Sequence, residues 1–471
     1  MSDNVAAARA APQNPMAKSG WGTELRATFA LAWPLVIAQV AQNALQATDV
    51  LMMGWLGPEA LAAGTLASSF LMPLFLFGVG AVSAVAPLTA QARGRRDIKA
   101  IRRVVRQGFW AAIALALLLT PILLQIRTVY GWLGQDPVLA ERAEEYIQIA
   151  VLMLVPAMGV IVLRSFLSTF DSTRIILVIT LGGVIVNAIT NYLLMFGNFG
   201  LPRLELRGAA IATVLTNLFM LGAMLTYVLR HRRFKRFNIL IRFWKPDWPR
   251  FREIFRIGTP IGLTVLAEVG LFAAAAILMG RLGTDELAAH AVALQCASLA
   301  FMVPLGLGIA ATVRVGVAYG RKDTEGIRKA GWMSFLLGTG FMAISALAFI
   351  LFGPVIVSLF LDPSLPQNQN ALMFAATYLA IAGLFQIVDG AQVVAAHALR
   401  GLSDTKVPMV MAIFGYWLVG LPVAWLLGYV LDMRGVGIWL GLAAGLAFVA
   451  VLLVGRFALR ERLGLLRNID A

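Results

Sequence analysis

Apolar residues along this chain fall in long blocks divided by short polar breaks, with little of the alternation that marks a strand. A helix needs about 20 mostly apolar residues to cross roughly 30 Å of hydrocarbon. By that rule the pattern predicts twelve membrane helices, at 27–53, 60–90, 106–126, 145–168, 175–197, 208–229, 254–280, 286–318, 330–353, 370–399, 407–431 and 435–457. The breaks are too short for a soluble domain, and the weak alternation argues against a membrane barrel. The first block is too long for a signal-peptide core and lacks a cleavage site behind it, so it reads as a retained first span. The fold class is therefore an all-α polytopic membrane protein.

Composition agrees. Of 471 residues, 60% are apolar and 13% charged, about half the charge of an ordinary soluble chain. The single cysteine, Cys296, falls inside a predicted helix, which excludes a disulfide framework or a cysteine-rich metal site within one chain. A net charge of +15 raises the question of nucleic acid. The layout answers it. Most of the Lys and Arg residues fall on the side holding the N-terminus. Six (Arg127, Arg142, Arg203, Arg207, Arg281, Arg434) fall opposite, and Arg314 falls inside a span. That asymmetry is the positive-inside pattern of a membrane protein. It puts both termini in the cytoplasm and the basic runs beside anionic lipid head groups, with no nucleic-acid partner.

The chain also repeats. "MGWLGPEALAAG" (53–64) returns 226 residues later as "MGRLGTDELAAH" (279–290). At the same offset Pro34 meets Pro260, and Gly94, Arg95, Arg96 and Asp97 meet Gly320, Arg321, Lys322 and Asp323. Further on, "STR" (172–174) resembles "DTK" (404–406), and "RGAAIA" (207–212) resembles "RGVGIW" (434–439). Two six-span halves of the same orientation are expected, a parallel repeat about an axis along the membrane normal. The expected organisation is a cytoplasmic tail at 1–26, a first bundle at 27–230, a basic linker at 231–253, a second bundle at 254–458 and a cytoplasmic tail at 459–471. Two pseudo-symmetric bundles around a central cavity suit a transporter that rocks between two faces.

Three acids fall inside predicted spans: Asp49, Glu268 and Asp389. An Asp at a helix centre costs about 2.5–3.5 kcal/mol on insertion scales, and such residues face protein interiors or water-filled cavities where ions move. A carboxyl withdrawn from water holds a proton, and a nearby cation favours its charged form. A buried acid can thus trade a proton for a metal ion or an organic cation. The repeat sets Gln42 opposite Glu268 and Ala275 opposite Asp49, so the halves carry their acids at different positions. Weaker polar signals are Asn187 and Asn191, one turn apart on span 5, where packing and ligand contact are equally good readings. Gln39, Gln42, Asn43 and Gln46 give span 1 a polar face, and Gln295 and Gln386 are candidates to line the second-half cavity. His290 and His397 read as interfacial or capping residues near span ends, and Arg314 as a side chain snorkelling to head groups. No nucleotide-binding loop, zinc-hydrolase motif or nucleophile elbow is present, so no bound cofactor is expected.

Several of these stretches together resemble one family. "ATDVLMMGWLGPEALAA", "LAEVGLFAAAAILMGRLGTDELAAHAVALQ", "VPLGLGIAATVRVGVAYGRKD" and "FQIVDGAQVVAAHALRGLSDTKVP" are similar to the multidrug and toxic compound extrusion (MATE) transporters, in their NorM-like branch. The resemblance runs over about 25–460. It implies a twelve-helix, two-lobe V-shaped fold and export of organic, often cationic and polyaromatic compounds, driven by inward Na⁺ or H⁺. It also implies cation-binding acids at Glu268 and Asp389, possible Na⁺ ligands, with Asp49 as the first-lobe aspartate. A first-lobe polar network is implied at Asn187, Asn191 and Thr213. Some relatives carry an acid where Asn191 stands. A monomer without an obligatory protein partner, in the bacterial inner membrane, is expected. The alternatives are a flippase for lipid-linked precursors, for which a more basic cavity is expected, and a membrane-embedded enzyme using Glu268 and Asp389 as an acid/base pair.

Overall fold

Backbone amides in hydrocarbon must be paired within their own segment, so an isolated block of this length crosses as a helix. The computed structural model describes residues 20–466, apart from the side chain of Gln367. Its helices are α1 (Trp21–Leu56), α2 (Pro58–Val82), α3 (Val85–Gly94), α4 (Ile98–Leu123), α5 (Ile126–Trp132), α6 (Pro137–Ala150), α7 (Leu154–Thr169), α8 (Thr173–Phe196) and α9 (Glu205–Arg230), then the single-turn α10 (Arg232–Lys235). The second half comprises α11 (Trp248–Leu282), α12 (Thr284–Gly320), α13 (Thr324–Ser358), α14 (Gln369–Gly401), α15 (Lys406–Ile413), α16 (Leu421–Trp425) and α17 (Arg434–Ala458). Among the described residues twelve passes are long and apolar enough to cross a membrane, with α2–α3, α6–α7 and α15–α16 each making one interrupted pass. No strand occurs among the described residues.

The internal repeat is written in the backbone. Helices α1 and α11 end at Leu56 and Leu282, the second passes run Pro58–Gly94 and Thr284–Gly320, and α4 and α13 begin at Ile98 and Thr324. Every pair of boundaries keeps the offset of the matching motifs. Between the first two passes of each half stands a glycine, Gly57 at φ 125° and Gly283 at φ 148°. That backbone region is closed to side chains bearing a Cβ, which explains the shared "LG" before each second helix. Asp97 and Asp323 then cap α4 and α13, accepting from Ala100 N at 2.9 Å and Gly326 N at 2.8 Å. Left-handed residues also pair: Arg96 with Lys322, Asp171 with Ser403, Glu205 with Asp432.

Two cores result. Leu71, Val105, Leu119, Phe166 and Met220 belong to the first bundle, and Leu271, Phe385, Tyr416, Trp439 and Leu446 to the second. The first helix of each half begins in the opposite bundle. Ile254, Ile257 and Ile261 of α11 pack into the first core, and Leu31 and Ala32 of α1 pack with Leu307, Ala310 and Val313 of α12. Where α2 crosses α11, a Cβ on Gly80 would lie 2.7 Å from the Gly262 Cα, so this crossing requires bare backbone. The linker is folded onto the first bundle: Phe234 and Phe237 are buried against Phe166 and Phe170, and Trp110 Nε1 donates to the Phe243 carbonyl at 3.0 Å.

Polar ties join the bundles at the end where α1 begins. Helix α1 starts at Trp21, earlier than the apolar block predicts, and brings Glu24 inside; residues 1–19 of the expected tail, like 467–471, lie outside the described residues. Glu24 is 4% exposed and accepts from Arg314 Nε at 2.5 Å and Nη2 at 2.7 Å. Arg314 thus does not reach for head groups; a bidentate carboxylate satisfies it. The Arg328 guanidinium lies 5.6 Å from the Trp21 ring, and Gln91 Nε2 donates to Gly401 O and Ser403 Oγ, both at 2.9 Å.

Glu24→Gln is expected to weaken this closure by about 2 kcal/mol, less than a fully buried pair because Arg314 keeps part of its side chain exposed. Spin labels at Arg95 and Lys322, in a Cys296→Ser background, should then report a longer-distance population by double electron–electron resonance. An unchanged distribution would count against the closure role.

Candidate functional site

Each bundle holds a buried polar cluster, and the two solve the same electrostatic problem differently. In the first, Asp49 stands on α1 where α8 packs against it. Asn187 and Asn191, one turn apart on α8, both aim at it: their Nδ2 atoms donate to the same Asp49 oxygen at 3.0 and 2.6 Å. Asn191 also donates to Asn187 Oδ1 at 3.3 Å. Both amides are buried, while Asp49 is half-buried. Thr213 on α9 and Tyr146 on α6 complete the cluster around the carboxylate. Tyr146 was not foreseen; in "ERAEEYIQ" it is one polar residue among many near a span end. Gln42 and Asn43 are half-buried on α1.

In the second bundle Glu268 on α11 borders a cavity of about 30 Å³, whose other polar walls are Thr264, Gln392, Arg400, Thr405 and Tyr416. That volume suits one or two waters or a single bare ion and is far below the ~300 Å³ of a small-molecule pocket. Gln392 Nε2 donates to Tyr416 Oη. Asp389, one turn before Gln392 on α14, lies within electrostatic range of Glu268 but is not part of this cavity wall. Its Oδ1, the Gln392 Oε1 and both polar atoms of Gln386 are buried without a hydrogen-bond partner among the described residues. Gln295 is exposed on α12.

Arg400 and His397 are the residues the sequence pattern missed. His397 reads as a span-end cap, yet it is 6% exposed and its Nδ1 lies 2.8 Å from the Val393 carbonyl. Nδ1 therefore carries the hydrogen, which leaves Nε2 to accept from Arg400 Nη1 at 3.1 Å. His290 is likewise interior, packed on the Trp439 ring at 5.4 Å between centroids, with neither nitrogen hydrogen-bonded to a described residue. Arg314 is also not the sole base within a span: Arg164 on α7 donates to Gln39 Oε1. Periodicity gave no signal for either arginine, because each lies within a turn or two of a helix end where basic residues are common.

Among the described residues no three His, Cys, Asp or Glu side chains gather as a metal cluster. Around Glu268 stand amide and hydroxyl oxygens of the kind a hard cation takes, together with the Arg400 guanidinium, which repels one. A second cavity, about 610 Å³, opens near the Glu24–Arg314 pair and is lined by Ala27, Leu31, Asp171, Arg174, Tyr227 and Arg314. Its free charge is mainly guanidinium, which does not favour a cationic guest.

Comparison with known proteins agrees with this architecture. The family model MatE matches residues 34–193 and 260–426, once in each half. Over 439 residues the chain is 46% identical to the "Probable multidrug resistance protein NorM" of Brucella suis biovar 1 (strain 1330), covering 93% of each. It is 45% identical over 446 residues to the protein of the same name in Mesorhizobium japonicum, covering 94% of this chain and 95% of the relative. In fold it resembles the eukaryotic MATE transporter AtDTX14, with a TM-score of 0.82 at 22% identity over 96% of this chain and 99% of the other. A MATE structure in a bent conformation gives a TM-score of 0.84 at 18% identity, covering 96% of this chain and 100% of that one.

If the two amides hold Asp49 as described, Asn191→Ala and Asp49→Asn should each destabilise the purified protein, and the double variant by less than the sum. A coupling of about 1–2 kcal/mol is expected for a charge-assisted pair. Thermal melting of the four proteins in one detergent measures it, and strict additivity would show that the contact contributes nothing.

Proposed function

Because this chain belongs to the MatE family of membrane transporters, we propose that it exports organic, mostly cationic and polyaromatic compounds in antiport with Na⁺ or H⁺. As a family member it is a multi-pass transporter and not an enzyme, which removes the acid/base reading of Glu268 and Asp389. The proposal locates the protein in the bacterial inner membrane with both termini cytoplasmic, working as a monomer among lipids, with small-molecule partners, no nucleic acid and no bound cofactor.

One observation carries the coupling reading: Glu268 borders a space of about 30 Å³, walled in part by hydroxyl and amide groups, that is large enough for an ion and too small for a drug. Glu268 and Asp389 are assigned as the coupling acids, with Gln392, Thr264 and Tyr416 offering further oxygens. Gln386, buried one turn from Asp389, supports an oxygen-lined approach to it. Asp49 with its amide pair is assigned as the first-bundle acid. An ion entering from outside neutralises the second-bundle acids, and the protein then favours the arrangement that releases the drug outward. Coupling of this kind requires ion and drug to differ in affinity between two arrangements of the bundles. The closure at Glu24 and Arg314 is the contact that must open when the other face is presented.

A second reading, export or flipping of lipid-linked precursors, is favoured by half-buried Arg164, whose buried Nε has no hydrogen-bond partner among the described residues. Its guanidinium is nevertheless held by Gln39, and Arg400 sits in the field of Glu268, so neither presents a free basic wall for phosphates.

Proteoliposomes loaded with a fluorescent organic cation, under a Na⁺ gradient or a pH gradient imposed separately, test the first reading. Glu268→Gln and Asp389→Asn are each expected to cut gradient-driven export by tenfold or more. Wild-type rates in both variants would refute the assignment, and movement of a fluorescent lipid but not of the cation would favour the second reading.

A further inference from the structure

The last turn of α14 carries a charge for which the coupling scheme above has no task. Arg400 lies inside the second bundle, one turn beyond His397, and shares the small cavity with Glu268. Its position is fixed from behind. His397 Nδ1 is engaged by the Val393 carbonyl, so Nε2 faces the guanidinium as an acceptor. The His397 carbonyl in turn accepts from Thr312 Oγ1 at 2.9 Å, which ties this turn of α14 to α12. A guanidinium bracketed in this way cannot swing out to head groups as a loosely packed arginine does. No carboxylate comes within salt-bridge distance of it among the described residues, yet Glu268 lies in its field.

Among the described residues no cation stands in this relation to the first-bundle acid: Arg164 is held by Gln39 and not by Asp49. At the offset of the "STR" and "DTK" motifs the counterpart of Arg400 is Ser168, and Asp49 is met by neutral amides. Amides hold a carboxylate without cancelling its charge, whereas a guanidinium several ångströms away offsets part of it. The two acid sites therefore differ in how strongly they attract an external cation.

We propose that Arg400 is a tethered counter-cation for Glu268, a positioning residue that keeps the second-bundle acid site only weakly attractive to a monovalent metal cation. This rests on the coupled-antiport reading and deepens it. A site used for exchange must fill on one side of the membrane and empty on the other, so binding has to be strong enough for entry and weak enough for release. A fixed internal charge sets that compromise. When the site is vacated, the carboxylate is not left alone in a low-dielectric interior, where an uncompensated charge is costly. When an ion enters, it gains direct oxygen contacts that the more distant guanidinium lacks, and it gives back part of that gain to repulsion from Arg400.

The test is equilibrium binding of ²²Na⁺ to the purified full-length chain at one fixed pH, with no drug and no gradient. Arg400→Gln should bind Na⁺ about tenfold or more tightly than the wild type, from removal of one charge at an effective dielectric near 20. Arg400→Lys, which keeps the charge, should stay within about threefold of the wild type. The gain should vanish in the Glu268→Gln, Arg400→Gln double variant. A residue that merely supports packing would leave affinity unchanged or weaken it, so tighter binding separates the two roles. Arg400→Met, which keeps the aliphatic stem, replaces the Gln variant if that one misfolds. Unchanged or weaker binding, a gain that survives loss of Glu268, or no Na⁺ binding in either wild type or variant overturns the proposal. Gradient-driven export by the wild type is scored separately. Export on a pH gradient without Na⁺ binding in any form retains the antiport reading while removing this role for Arg400.

Discussion

Charge inside a low-dielectric interior has to be answered locally, and the architecture of this transporter turns on how each buried acid is answered. Glu24 receives a bidentate arginine from the other bundle. Asp49 receives two amides from a neighbouring helix. Glu268 receives a more distant guanidinium and a small space walled in part by hydroxyl and amide groups. These three answers differ in consequence. A paired acid is a fastener, since neither partner is free for anything else. An acid held by amides has its geometry fixed. An acid facing an ion-sized cavity is incompletely satisfied, and incompletely satisfied charge is what a mobile ion can complete.

The helical frame serves this arrangement through the repeat. Each half starts with a long helix that begins in one bundle and ends in the other, so α1 and α11 knit the bundles together near one end while their far ends belong to their own cores. At Gly80 and Gly262 the backbones of α2 and α11 cross with no room for a side chain between them. The polar ties at Glu24, Arg314 and Gln91 lie at this same end, where their loss is felt by the interface and not by either core.

Duplication supplied the frame, and divergence supplied the function. Helix boundaries, the two glycine turns and the aspartate caps kept their register between halves. The acids did not: Glu268 stands where the first half has Gln42, and Asp49 where the second has Ala275. Backbone geometry at a turn tolerates almost no substitution, because a Cβ at φ above 100° collides with its own chain. A carboxylate can be relocated by a turn or two wherever a neighbouring helix supplies a donor, so the chemistry was freer to drift than the scaffold.

Read alone, the chain already determined the class of fold, the number of passes, the two halves and their common orientation, and it singled out Asp49, Glu268 and Asp389. Those features follow from one-dimensional quantities, namely block length, offset between motifs and the cost of an acid in an apolar run. The partnership of Asn187 and Asn191 was legible to the extent that their spacing puts them on one face; that the face meets Asp49 was not. The roles of Tyr146, His397, Arg400 and Glu24, and the pairing that takes Arg314 away from the membrane surface, came only with tertiary structure. Each lies near a helix end, where a polar residue is unremarkable in sequence. What distinguishes it is the helix packed against it, and that choice is made by side-chain shape and backbone crossing among segments hundreds of residues apart.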